Sequence, residues 1–206
     1  MLAVLTGMLL GAWHVVSGPD HLAAVAPLAT HDDRAGARVG VTWGLGHAGG
    51  VWLVGLLLLL LGDRVLPLES LGLWSERVVG VAIVAVGVWG LWRVRHEHRH
   101  GHDHGHDHHR ARAGGSALTI GLIHGLAGSS HLYGVLPALA LVAGDRLAYL
   151  LGFGVGSIAA MGAFAALLST IVRRLPGSRA LVQRWALLGA SCAAVIIGLA
   201  WVALSL

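Results

Sequence analysis

The sequence predicts an all-α, polytopic membrane protein: six transmembrane helices built as an inverted 3+3 repeat, with the first and fourth helices broken. Three observations carry that expectation. Of the 206 residues, 56% are hydrophobic and only 12% charged, against about 25% charged in soluble domains. Apolar stretches recur at 2–28, 39–61, 71–92, 117–143, 147–172 and 182–206, and a membrane-crossing helix needs about 20 mostly apolar residues. Finally, residues 11–27 align without a gap on residues 121–137. Seven positions are identical at a constant offset of 110: Gly11/Gly121, His14/His124, Gly18/Gly128, His21/His131, Leu22/Leu132, Val25/Val135 and Pro27/Pro137.

The first span is interrupted at Gly18-Pro19, where proline removes a backbone donor and glycine eases irregular backbone. It reads as a span and not as a signal peptide, because it lacks a positive n-region and its pattern returns in mid-chain. The second span carries His47 among Gly44, Gly46, Gly49 and Gly50, which should let this helix approach span one closely. Three spans is an odd number, so the second copy enters the membrane from the opposite side. In the fifth span Gly152 and Gly154 match Gly44 and Gly46 at an offset of 108, setting Val155 against His47. The third spans match only in Gly80 and Gly189. Cys192, alone of its kind, reads as a small packed residue of the last span, since one thiol makes neither a disulfide nor a thiolate cage. The expected units are a first three-helix repeat (1–93), a His-rich loop (94–116) and a second three-helix repeat (117–206).

All 14 basic residues are arginines. They lie in membrane loops, which excludes a nucleic-acid partner despite a pI near 10.5. Eleven fall in the loops after spans one, three and five, and three (Arg64, Arg77 and Arg146) on the other side. The positive-inside rule makes the arginine-rich side cytoplasmic and puts both termini outside, as in a bacterial inner-membrane protein. On the cytoplasmic side lies the segment 96–109, eight of whose 14 residues are histidine. Histidines alternating with Gly, Asp and Arg cannot build a core, so a mobile loop is expected there.

The chemistry-bearing residues sit inside the spans. His14 and His21 are seven positions apart, two turns on an unbroken helix, and a break at Gly18-Pro19 would bring His14, Asp20 and His21 toward one point. A carboxylate at mid-bilayer costs roughly 2.5–3.5 kcal/mol on insertion scales. Asp20 therefore calls for a cation, a proton or a water-filled path; its plainer reading is a helix cap after the break. His47 should reach the same site, or else bond a neighbouring helix's carbonyl. His124 and His131 repeat the imidazole spacing, while Ser129-Ser130 stand where the first copy has Pro19-Asp20. One asymmetric composite site is expected, with the second-copy histidines contributing or serving in helix contacts. Imidazoles with one carboxylate and no thiolate suit nickel, cobalt, zinc or iron, whereas calcium and magnesium prefer oxygen-only sites. The segment His31-Asp32-Asp33-Arg34 reads as a solvated turn with a local ion pair, or as a relay to the site.

These motifs resemble the nickel–cobalt transporter superfamily, on its NicO-type efflux and urease-accessory-like side. The resemblance rests on His14-x5-Asp20-His21, on Gly46-His47, on the His-rich loop and on the segment from Gly121 through His124 to His131. It implies a metal-selecting role for His14, Asp20 and His21. The superfamily's importers show His-x4-Asp-His and eight spans, from which this chain departs.

The resulting expectation is a secondary transporter of a divalent transition metal, nickel or cobalt first, coupled to protons and leaning to efflux. The metal ligands would be His14, Asp20, His21, His47, His124 and His131, with no permanent cofactor; the partners are the cation and the lipid bilayer. Two rivals are an intramembrane metalloenzyme and a metal-storing or sensing protein acting through its His-rich loop. The first is weakened by the single deep carboxylate and the lack of a His-Glu-x-x-His helix.

Overall fold

A computed structural model describes residues 1–31, 36–61, 68–96, 106–127 and 129–205. Side chains are placed for all of these except 31, 61, 68–73, 75, 106–114, 129–133 and 179. Among the described residues there are only helices, turns and caps: α1 Leu2–Ser17, α2 Pro19–His31, α3 Gly36–Leu61, α4 Leu68–His96, α5 His106–Ala127, α6 Ser129–Leu139, α7 Ala143–Arg174 and α8 Arg179–Leu204. Segments of α3, α4, α7 and α8 are long and apolar enough to cross a membrane, and the bent pair α1–α2 passes the same test when its two helices are taken together, which makes four to five candidate spans. The apolar part of α5, Gly115–Ala127, is shorter. Leu9, Leu60, Val142 and Ile196 turn large apolar side chains outward, as a lipid-facing surface requires and a water-facing one rarely shows at this extent. The chain is an all-helical, multi-pass membrane protein.

The break in the first span falls at Gly18, where α1 and α2 meet at a bend of 74°. Gly18 adopts an extended conformation (φ −89°, ψ 101°) and its N–H donates to the His14 carbonyl, ending α1. Pro19 then opens α2, where its missing N–H costs no helical hydrogen bond. A Cβ on Gly18 would lie 2.5 Å from His21 Nδ1 and 2.8 Å from Asp20 Oδ1. The turn therefore needs glycine because the site side chains fold back over it.

Close helix pairs are set by glycine. Cβ atoms on Gly7 and Gly11 would strike the α7 backbone at Tyr149 and Phe153, and those on Gly152 and Gly156 would strike α1 at Val4 and Met8. The matched advance along both helices makes α1 and α7 parallel. Likewise α3 and α5 run parallel: Gly46 meets Leu118, Gly50 meets Gly125, Gly121 meets Trp43 and Gly125 meets His47. α3 and α7 run antiparallel, with Gly36 against Ser169, Gly40 against Met161 and Gly44 against Ile158. It follows that α5 runs opposite to α1. α4 and α8 form the remaining close pair, Gly80 against Gly198 and Gly87 against Ser191, and α2 packs on α8 and α7.

Two expectations change, those for the glycines around His47 and for Cys192. Of the glycines around His47, Gly46 and Gly50 approach α5 and Gly44 approaches α7, not span one, because they lie on the faces of α3 turned to those helices, while a Cβ on Gly49 would meet nothing within 4 Å. Cys192 is exposed, since α8 turns Leu187, Ser191 and Ala194 inward instead. Within the segment 94–116, α4 runs to His96 and α5 begins at His106; alanine and arginine at 110–113 are strong helix formers that carry α5 past its apolar part. Residues 97–105 of the His-rich segment lie outside the described residues.

Candidate metal centre

The bend at Gly18 places three polar side chains from α1 and α2 beside one another. His14 lies in the last turn of α1, while Asp20 and His21 lie in the first turn of α2. His47 comes from the middle of α3 and His124 from the last turn of α5, brought in by the α3–α5 contact at Gly121 and Gly125. The His21 ring is central: it lies 4.5 Å from His14, 4.9 Å from His47 and 4.6 Å from His124, centroid to centroid. His47 lies 5.9 Å from His14 and 5.8 Å from His124. Asp20, His21, His47 and His124 are all buried, and His14 is half-buried.

Asp20 holds the cluster together. Its Oδ1 lies 3.0 Å from His21 Nδ1 and its Oδ2 lies 2.9 Å from His124 Nε2. An ionised carboxylate only accepts, so each facing imidazole nitrogen donates its N–H. The capping alternative for Asp20 finds no support, because both oxygens are engaged by side chains and not by the backbone of α2. A buried carboxylate with two imidazole donors is compensated in the way buried charge requires.

Two groups of three donors are close enough to share a cation. His14, His21 and His47 form one; Asp20, His21 and His124 form the other; within each the donor atoms lie within 4.8 Å of one another. Metal bonds of about 2.0–2.1 Å place donors up to about 4.2 Å apart across an ion, so a small inward movement completes either group. Nitrogen-rich ligation with one carboxylate and no sulfur fits borderline divalent transition metals.

Of the six residues expected at the site, five are brought together. The sixth, His131, lies in the first turn of α6, and its side chain is outside the described residues. The side chain of His31 and all of Asp32, Asp33 and Arg34 are also outside them. His96 is exposed, with its Nδ1 donating to the Trp92 carbonyl at 2.8 Å. Val155, expected opposite His47 in the repeat, is exposed.

Sequence reasoning missed the aromatic wall. Trp43 is fully buried; its ring stacks on His47 at 5.1 Å and 12° and lies 5.2 Å from His124. Phe153 packs 5.5 Å from His14. A signal for both was present: Trp43 and Phe153 are 110 positions apart, the offset of the first repeat segment. Continuing that offset through the second span pairs His47 with Ser157, a buried residue whose Oγ donates to the Gly11 carbonyl at 3.2 Å and the Phe153 carbonyl at 2.9 Å.

Comparison with known proteins adds relatives. The chain is 36% identical over 182 residues to the chloroplast protein FOR GROWTH AND FERTILITY 1 of Arabidopsis thaliana, covering 80% of this chain and 49% of that protein. FOR GROWTH AND FERTILITY 2 of the same plant is also 36% identical, over 77% of this chain and 45% of its own length. The chain thus spans about half the length of these two curated relatives. It is 29% identical to the urease accessory protein UreH of Bacillus sp. (strain TB-90), covering 82% of this chain and 77% of that protein. No protein-family model and no solved structure matches it.

Proposed function

We propose that this protein carries a divalent transition metal across the membrane, nickel or cobalt first and zinc or iron after them. The observation that carries the reading is the buried cluster itself. One carboxylate and four imidazoles, drawn from α1, α2, α3 and α5, meet inside an apolar bundle. Such groups are costly at membrane depth and mark ion pathways. In this reading His14, Asp20, His21 and His47 form the primary site, with His124 and His131 contributing from the second half. The likeness to a urease accessory protein supports the same metal class, as does the resemblance of the motifs to nickel–cobalt transporters.

We read the architecture as six spans in an inverted repeat, 1–93 and 117–206, with α5 and α6 together forming the fourth span. The packing supports it. Gly11 against Phe153 returns as Gly121 against Trp43, and Gly156 against Met8 returns as Gly46 against Leu118, each partner shifted by 110. The opposed directions of α1 and α5 agree with the inversion. An offset of 110 replaces 108 for the second span in this account. Transport follows from rocking one repeat against the other around a fixed site. Imidazole must be neutral to ligate, so proton antiport is the natural driving reaction.

The distribution of arginine, eleven against three, supports a cytoplasmic side for the His-rich loop, where it would gather metal for export. An intramembrane metalloenzyme is disfavoured, since the cluster offers a single carboxylate to act as acid or base. The test is metal uptake into sealed proteoliposomes with an imposed pH gradient, comparing nickel, cobalt and zinc. Flux that depends on the gradient and ranks nickel and cobalt first is expected. Metal retention without flux would favour a storage or sensing role.

A further inference from the structure

We propose that the cluster offers its cation two alternative positions that share His21: an outer one made by His14, His21 and His47, and an inner one made by Asp20, His21 and His124. This rests on the metal-carrier reading above and adds to it a path within the site. The two groups each bring three donor atoms within 4.8 Å, and His21 is common to both. Their surroundings differ. The outer group includes half-buried His14, whereas all three residues of the inner group are buried.

Elementary imidazole chemistry makes the positions exclusive. A neutral imidazole has one lone-pair nitrogen and one N–H. With Nδ1 of His21 donating to Asp20 Oδ1 at 3.0 Å, the lone pair is on Nε2 and serves the outer position. Asp20 is then the carboxylate behind a ligating histidine, fixing its tautomer and orientation. In the inner position the cation sits between Asp20 and the nitrogens that face it, His21 Nδ1 and His124 Nε2. For these to ligate, the proton on each moves to the other nitrogen of the same ring, Nε2 of His21 and Nδ1 of His124. Both rings remain neutral and the proton count is unchanged. One ring of His21 cannot present both lone pairs, so a cation leaves the outer group as it joins the inner one.

The step also changes which parts of the chain hold the cation. The outer ligands come from α1, α2 and α3 alone. The inner group adds His124 of α5, so the cation then ties the first half to the second. It also gains a carboxylate, so the inner position neutralises part of the charge and the outer does not. The inner position is therefore the one in which a bound cation can bias how the halves are arranged.

The test uses the purified full chain in detergent, titrated with Co2+ and read by its visible d–d absorption. Wild type should bind one Co2+ per chain. His14→Gln removes only the outer position and His124→Asn only the inner, so each should still bind one Co2+, with band positions that differ from each other. His21→Gln should weaken binding by about 100-fold or more, because both positions lose a ligand. Size-exclusion profiles and Co2+-dependent thermal stabilisation show that each variant is folded and loaded; His14→Asn and His124→Gln replace any that is not. Two Co2+ per wild-type chain, identical spectra from His14→Gln and His124→Asn, or loss of binding in either variant equal to that of His21→Gln would overturn the two-position account. A wild-type chain that binds no Co2+ overturns the metal-carrier reading as well, which is a separate result.

Discussion

Asp20 and His124 are 104 positions apart in the chain, yet their side chains meet at 2.9 Å inside the bundle. The contact joins the start of α2 to the last turn of α5 and is made wholly by buried groups. It depends on two glycine devices: the bend at Gly18 that turns Asp20 inward, and the α3–α5 contact that brings His124 alongside His47.

The first device gives a prediction at Gly18. An alanine there would set its Cβ 2.5 Å from His21 Nδ1 and 2.8 Å from Asp20 Oδ1. Its φ of −89° is open to any residue, so backbone strain is not the issue. Gly18→Ala should lower metal affinity by about 10-fold or more through displaced ligands, while the protein still elutes as a folded species. Isothermal titration with Ni2+ measures this; unchanged affinity would mean that the turn does not shape the site.

At Gly121 the second device can be broken. A Cβ there meets the Trp43 carbonyl and lies 3.1 Å from His47 N. Gly121→Val should separate α3 from α5 and destabilise the protein by about 1–3 kcal/mol, the usual cost of overpacking. Thermal unfolding in detergent reads the loss, and metal affinity should fall with it because His47 and His124 part company.

Metal affinity should also depend on pH with a fixed sign. Each imidazole ligand must be deprotonated, so protons compete with the cation. Apparent affinity for Ni2+ should fall, and not rise, as pH is lowered. A titration series from pH 8 to pH 5.5 checks it, and affinity that rises toward acid would contradict imidazole ligation.

Most of the site was legible in the sequence because its residues break a strong rule. Histidine and aspartate do not belong in apolar spans, so His14, Asp20, His21, His47 and His124 stood out. The interruption at Gly18-Pro19 was readable from backbone chemistry alone. What the sequence hid was side-chain direction on α3: four glycines near His47 pointed to a close contact but not to its partner, and three of them, Gly44, Gly46 and Gly50, meet α7 or α5 while Gly49 meets neither. Trp43 was hidden because an aromatic in a membrane helix is ordinary until its neighbours are known. The exposure of Cys192 was missed for a related reason, since small residues on both sides do not say which face of α8 turns inward.

The His-rich segment should be an accessory. It lies apart from the cluster in the sequence, and His96 at its edge bonds the Trp92 carbonyl. Deleting residues 97–105 should leave metal flux measurable while raising the concentration needed for half-maximal rate. Complete loss of flux at normal protein levels would instead place the function in the loop.

The central claim, that a buried carboxylate among imidazoles carries the metal, is tested most directly by Asp20→Asn. Asparagine keeps the size and part of the hydrogen bonding but removes the one negative charge in the cluster. Nickel or cobalt flux into sealed proteoliposomes should fall to the level of empty vesicles for Asp20→Asn, at matched amounts of folded protein, while wild type transports. Wild-type flux from Asp20→Asn would show that Asp20 only supports the turn, and the metal centre assigned to it would fall.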